Sequence, residues 1–268
     1  EIAASEATGI LTLEASGAIT QTGAIDADLT SGFTAGANAI TLSDASNDFT
    51  GAVSLSNSGT NDVALRDANA LDLGTVGVGQ NLSLTAAGAI SDTGVVTVAG
   101  TTTLDNSAGS SAAILLDSAS TYTGNVTLTT GTGSDVTITD NSDFAIQSGL
   151  NVNNLSITST GSVTDLGDIN IDGTLTVSAA GQTIDLTGTG NDLTGAVNLT
   201  GAAVTLEDTT DTSIAGITAT GALSVTSGGA ITQTGAIDAD LASSFTGGAN
   251  AITLSDASND FTGAVSLS

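Results

Sequence analysis

The 268 residues carry 28 acidic side chains against a single basic one, with no His and no Cys, for a net charge of −27. That inventory leaves no Ser–His–Asp triad, no thiolate, no Schiff-base Lys and no imidazole or thiolate metal centre, so the chain reads as a non-enzyme. Its charge argues equally against nucleic acid and anionic membranes as direct partners, because both would repel it.

From the amino end the chain repeats one short motif, aliphatic–x–aliphatic. Val53 and Leu55 are followed by Val63 and Leu65, Leu71 and Leu73, Leu82 and Leu84, and Val96 and Val98. Then come Val126 and Leu128, Val136 and Ile138, Leu155 and Ile157, Ile169 and Ile171, and Leu175 and Val177. Ile184 and Leu186, Val197 and Leu199, Val204 and Leu206, and Leu223 and Val225 continue the series. A period of two puts both members of a pair on one face of a strand. The residues between and around the pairs are Ser, Thr, Asn, Asp and Gly, which suit an outer face and tight turns. A regular aliphatic period separates this chain from disordered acidic sequences, and no stretch holds a 3.6-residue period. The expectation is an all-β chain of very short strands.

Two nested repeats organise those strands. Residues 17–56 recur as 229–268, matching at 37 of 40 positions; the differences are Thr30/Ala242, Gly32/Ser244 and Ala35/Gly247. Inside this 212-residue period, NDFTGAVSL at 47–55 returns as STYTGNVTL at 120–128, NDLTGAVNL at 191–199 and NDFTGAVSL at 259–267. The steps divide the chain into units of about 70 residues, drawn here as 40–112, 113–182 and 183–251. Fixed-period short strands with Gly and Asn turns are the pattern of a solenoid. Nine strands per unit, three to a turn, predict turns of about 24 residues. Residues 1–268 are thus expected to form one continuous three-sided parallel β-helix of about eleven coils. A propeller would need four-stranded blades of ~40–45 residues with aromatic signatures, which this sequence lacks. No Met is present, so the sequence is expected to be a window on a longer chain.

The stretch NDFTGAVSLSNSGTNDVALRDANALDLGTVGVGQNLSLTAAGAISDTGVVTVAGTTTL, at 47–104, resembles the central repeats of filamentous-haemagglutinin-like exoproteins of the two-partner secretion type. The phrases NDVAL, LDLGTV and QNLSLTAAGAI carry the likeness, with the recurring GAI-xx-xG at 17–23, 88–94 and 229–235. The resemblance implies a right-handed β-helix, export with an outer-membrane secretion partner, and folding at the bacterial cell surface. It brings no site residue with it.

The remaining chemistry lies in the carboxylates, of which Asp supplies 24 and Glu 4. Spread over a rod on the order of 50 Å they would average about one charge per 2 Å, close to the ~1.7 Å of DNA, so cations are the favoured small partners. Asp26 with Asp28 and Asp238 with Asp240 stand one strand step apart. SDASND at 43–48 and at 255–260 adds Asp44, Asp48, Asp256 and Asp260. These eight are candidate oxygen ligands for weak extracellular calcium sites; the competing reading is solvated turns and Asx caps. The calcium-binding nonapeptide of β-rolls is absent. The pairs Asp26/Asp28, Asp165/Asp168 and Asp238/Asp240 have glycosidase-like composition, but Arg66 alone cannot hold an acidic polysaccharide. GTVGVG at 74–79 reads as a turn, since no helix or basic residue follows to make a phosphate loop. No cofactor is required by any of this.

The function expected is a structural segment of a giant secreted surface fibre, with end-to-end repeats and possible lateral self-assembly. The alternative is an adhesin whose repeats bind a receptor directly, which would call for an exposed aromatic or mixed-charge patch. Tyr122 is the only Tyr, and the Phe residues sit at recurring registers expected to face inward.

Overall fold

The computed structural model describes residues 1–268 and contains strands and turns but no helix. The fold is a parallel β-solenoid of about 13 turns. It divides into two compact units, Glu1–Thr139 and Asp140–Ser268.

Three parallel sheets build the first unit. One holds Ser5–Ala7, Ile25–Ala27 and Asp48–Phe49. A second runs from Leu11–Glu14 through Ser31–Gly36, Val53–Asn57 and Leu71–Val78 to Ile114–Tyr122. The third climbs from Ile19–Thr20 through Ile40–Leu42, Val63–Asp67, Leu82–Ala86 and Thr102–Asp105 to Val126–Thr129. The second unit has the same plan. One of its sheets steps through Phe144–Ile146, Val163–Asp165, Ile184–Leu186, Val204–Asp208, Leu223–Ser227, Ser243–Thr246 and Val265–Leu267.

The sequence forms these strands because each aliphatic pair lands inward at the same register as the pair one turn away. Val63, Leu82, Thr102 and Val126 are successive partners, and so are Leu65, Leu84, Leu104 and Leu128. All of these side chains are buried. Each buried Val, Leu or Ile contributes about 1.5–3 kcal/mol relative to exposure. The aromatic side chains go inside as well: Tyr122, Phe33, Phe49 and Phe245 are at most 1% exposed. Phe33 and Phe49 meet edge to face at 6.1 Å, and their repeat equivalents Phe245 and Phe261 do the same at 6.0 Å.

A repeat unit is not a whole number of turns. In the first unit Leu55 pairs with Val76, Val76 with Val96, and Thr97 with Thr121, which makes three turns. The chain then passes one more corner before Val126, the equivalent of Val53, which sits in a different sheet. The second unit repeats this. Leu199 pairs with Ile217, Ile217 with Ile237, and Ala239 with Phe261, and Val265 then joins a sheet that Val197 does not. Each unit therefore makes about three and a third turns of about 22 residues. The expected three turns of 24, and with them the count of eleven coils, are corrected. Turn length also varies: Ile90 pairs with Ile114, 24 residues on, and Val197 with Ile214, 17 on.

GTVGVG is not a turn either. All but its last residue lie within the eight-residue strand Leu71–Val78, which bends through a corner and pairs with both Ile90–Asp92 and Val96–Val98. A register shift between Leu73 and Val76 makes the bend, and a Cβ on Gly74 would strike the Ser54 hydroxyl. The Gly is present for closeness inside a bulged strand.

The Thr-Gly of the marker phrase has the same cause. A Cβ on Gly51 would lie 2.5 Å from the Leu29 carbonyl carbon and 2.7 Å from the Thr30 nitrogen. Gly124 meets Gly100 in this way, and Gly195 meets Gly173. Each of these glycines lets the corner rest directly on the backbone of the preceding turn. Gly51→Ala and Gly195→Ala are therefore expected to destabilise the fold by about 2 kcal/mol or more, measured by urea unfolding. Gly17→Ala, where a Cβ meets nothing within 4 Å, is expected to change stability by less than about 0.5 kcal/mol.

Candidate functional site

The feature that recurs with chemical content is a buried polar corner, built once per unit from the first residue of the marker phrase. Asn47 is fully buried. Its Oδ1 accepts from the Ile25 N–H at 2.9 Å, one turn back, and from Gln21 Nε2 at 2.8 Å. Its Nδ2 donates to Gln21 Oε1 and to the Leu42 and Arg66 carbonyls. The equivalent Asn191 accepts from the Ile169 N–H at 3.0 Å and donates to Asp165 Oδ2 at 2.7 Å. Asn259 accepts from the Ile237 N–H at 2.9 Å and exchanges hydrogen bonds with Gln233. Where the phrase begins with Ser, Ser120 Oγ accepts from the Val96 N–H at 2.9 Å. Ser120 has no amide to offer Asp92, the equivalent of Gln21 and Asp165. Two backbone N–H groups, from Asp117 and Ser118, donate to Asp92 Oδ1 instead.

One strand further on, each corner continues into a buried carboxylate. Asp67, Asp140 and Asp208 close the strands Val63–Asp67, Val136–Asp140 and Val204–Asp208, and all three are buried. Asp67 Oδ1 accepts from the Asn69 N–H. Asp208 Oδ1 accepts from the Leu193 and Thr210 N–H groups, and its Oδ2 from the Thr212 hydroxyl. Burial pushes Asp67 up to about 6, against the pull of its backbone N–H donors. Burial also raises Asp92 and Asp208. The sequence reading missed this set. Its signal was present in the Asn or Ser that opens every marker phrase and in the Asp that ends VALRD, VTITD and VTLED.

The candidate calcium ligands lie outside. Asp26, Asp28, Asp238, Asp240 and Asp260 are exposed, and Asp44, Asp48 and Asp256 are half-buried. Register brings Glu6, Asp26 and Asp48 side by side on three successive turns, and likewise Asp238 and Asp260. Asp28 and Asp240 follow Asp26 and Asp238 on the same outer side, each beyond one buried Ala. Asp44 Oδ1 caps the Ser46 N–H, and Asp256 Oδ1 the Ser258 N–H, both as Asx turns. At the ~4.8 Å spacing of adjacent strands, two exposed carboxylates repel by about 1 kcal/mol in water, which surface solvation and salt make tolerable. No group of three acidic side chains converges in a geometry that could hold a metal ion.

The other acidic pair resolves into turn caps. Asp165 accepts from the Thr187 and Gly188 N–H groups, and Asp168 from that of Gly190. An open depression of about 520 Å³, lined by Asp192, Thr194, Thr209, Thr210 and Asp211, has neither an aromatic nor a basic wall.

Four successive segments of the chain, residues 1–56, 60–130, 133–200 and 201–268, match the family model described as repeats of unknown function (DUF5649). The chain therefore belongs to that repeat family. A tandem repeat has no intrinsic first residue, so these boundaries and those drawn from the marker phrase differ in phase. No curated protein and no solved structure gives a significant match.

The polar corner makes a graded expectation. Asn191→Ala leaves the Ile169 N–H without its acceptor and is expected to cost about 2–3 kcal/mol in urea unfolding. Asn191→Ser restores an acceptor of the kind Ser120 supplies, and is expected to lose about half as much.

Proposed function

We propose that this chain, as a run of the repeat family just described, is a structural segment of an extracellular bacterial surface fibre: a stalk, filament or sheath of tandem solenoid repeats. Its immediate partners are further copies of the same repeat, and an outer-membrane protein exports it. The observation that carries this reading is the division of labour across the strand. Phe49 and Tyr122 of the marker phrases turn fully inward, while the outer positions are mostly Ser, Thr, Asp, Asn and Gly, broken only by single aliphatic side chains such as Ile10, Leu29 and Leu166. Such a surface has no aromatic anchor of the kind that dominates binding interfaces. What the fold does supply is length, because each turn completes the hydrogen bonding of the one before it.

An adhesin that binds through its repeats is the weaker reading, since the residue best suited to a hot spot, Tyr122, is 1% exposed. Lateral assembly is set by the outer carboxylates. Two such surfaces approach only with cations between them, and calcium suits the oxygen-only ligand set.

Electron microscopy of the native material, imaged with millimolar calcium and after chelation, tests the reading. A fibre stalk predicts uniform thin filaments in both states. Bundles that disperse on chelation would assign the acidic faces to assembly. Compact particles with no filament in either state would overturn the proposal.

A further inference from the structure

Four carboxylates are buried in the stack, Asp67, Asp92, Asp140 and Asp208, and burial raises three of them, Asp67, Asp92 and Asp208. Asp67 is 1% exposed, Asp208 4% and Asp92 7%. Asp67 Oδ2 and Asp92 Oδ2 are sealed from solvent with no hydrogen-bond partner. Asp67 Oδ1 accepts from the Asn69 N–H two residues on, whereas Asp92 and Asp208 hold backbone N–H groups where one turn rests on another: Ser118 N–H on Asp92 across 26 residues, and Leu193 N–H on Asp208 across 15.

The groups facing each carboxylate are acidic or neutral. Asp67 has Asp48 nearby on the strand Asp48–Phe49, and its register partner on the next turn is Ala86. Asp92 faces Asp117 from the strand Ile114–Tyr122 and pairs with Leu73 below, beside Asp72. Asp208 has Ser227 as its register partner on the next turn. On its other side Thr210 bonds both Asp208 and Asp192, and Glu207 precedes it on the outer face. Arg66, the single basic side chain, alternates outward next to the buried Asp67.

An unpaired carboxylate in a closed interior costs far more as the anion than as the acid. We propose that the polar corners make this an acid-tightened solenoid, in which the stack is most stable with the carboxyls at Asp67, Asp92 and Asp208 protonated and loosens as the pH rises to neutrality. The direction of the effect follows from proton linkage. Burial raises these groups in the folded state, so the folded chain holds their protons to higher pH than the unfolded chain does. Stability is then fully present below about pH 4, the carboxyl range of an unfolded chain, and is lost as the pH climbs through the raised folded-state values, about 6 for Asp67. Acid denaturation driven by paired carboxylates has the opposite sign. At Asp208 the Thr212 hydroxyl, 2.9 Å from Oδ2, accepts from the acid as readily as it donates to the anion.

The test compares thermal midpoints of the 268-residue chain at pH 4.5 and 7.5 in 0.5 M NaCl, where repulsion among surface charges is screened. The expected result is a midpoint higher by about 5 °C or more at pH 4.5. The variant carrying Asp67→Asn, Asp92→Asn and Asp208→Asn should show a flat midpoint across that range. A control with the exposed changes Asp28→Asn, Asp172→Asn and Asp240→Asn removes the same charge and should keep the rise. A wild-type midpoint that drops in acid, or a control as flat as the buried variant, would overturn the proposal. Carboxyl-carbon NMR titration of the unmodified chain decides independently of how the variants fold. Asp resonances titrating above about pH 5 support the inference, and a full set titrating below about 4.5 sinks it.

Discussion

Every turn of this molecule must present a complete row of backbone donors and acceptors to the next, at strand spacing and in register, and most local features follow from that constraint. A parallel stack has no hairpin to set its register, so the register is set by what lies inside and at the corners. Inside, the aliphatic columns lock strand to strand: Val63 over Leu82, Leu65 over Leu84. At the corners the chain leaves the strand conformation and its N–H groups lose their ladder partners. Asn47, Ser120 and Asn191 supply those partners with side-chain oxygens. Gly51, Gly124 and Gly195 let the corner descend far enough for the next strand to begin in contact. The phrase that marks each repeat in the sequence is thus a corner device: a staple, a core plug and a close approach within five residues.

The same constraint accounts for the mismatch between repeat and turn. A unit of about three and a third turns delivers its equivalent strand to the next sheet round, as Val126 is to Val53 and Val265 is to Val197. Three such steps make ten whole turns. Three units is also the length after which the sequence itself recurs, at 17–56 and 229–268. A face that must meet something at regular intervals along a fibre would be selected at that longer period, because a single unit does not return to the same side.

Alternation made the strands legible: Val53 and Leu55, Leu82 and Leu84, and Ile169 and Ile171 are strand residues with the expected inward sides. The turn count was not legible in the same way. The sequence shows the unit length directly, but the number of turns in it depends on how many residues each corner consumes, and corners differ in length without differing in composition. GTVGVG was misread for a related reason, since Gly marks a close approach inside a strand as readily as a turn. The buried carboxylates escaped because acidity in a chain of net charge −27 looks like surface. Only strand phase separates Asp67, which falls in step with the inward Val63 and Leu65 and is sealed in, from Asp48, which falls out of step with Phe49 and lies on the outer side.

A polar interior is an expensive choice for a stack that aliphatic side chains could fill, and the interchangeability of aliphatic columns between successive units supplies the reason for it. Apolar columns of Val, Leu and Ile accept one another in many registers, so they resist slippage by one unit weakly. The polar corners differ from unit to unit. Gln21 pairs with Asn47 through two amide hydrogen bonds, Asp165 takes a single donor from Asn191, and Asp92 is served by backbone because Ser120 is too short. A slip by one unit would set Gln21 against a Ser and leave its amide unpaired, or Asp92 against an Asn with its own backbone donors in the way. A buried polar group left unpaired costs about 1–3 kcal/mol, whereas an exchanged aliphatic contact costs almost nothing. Buried polar groups as register keys are attested in coiled coils, where a single Asn fixes alignment. Here the key is written three ways in succession, which distinguishes neighbours that the hydrophobic core alone would confuse.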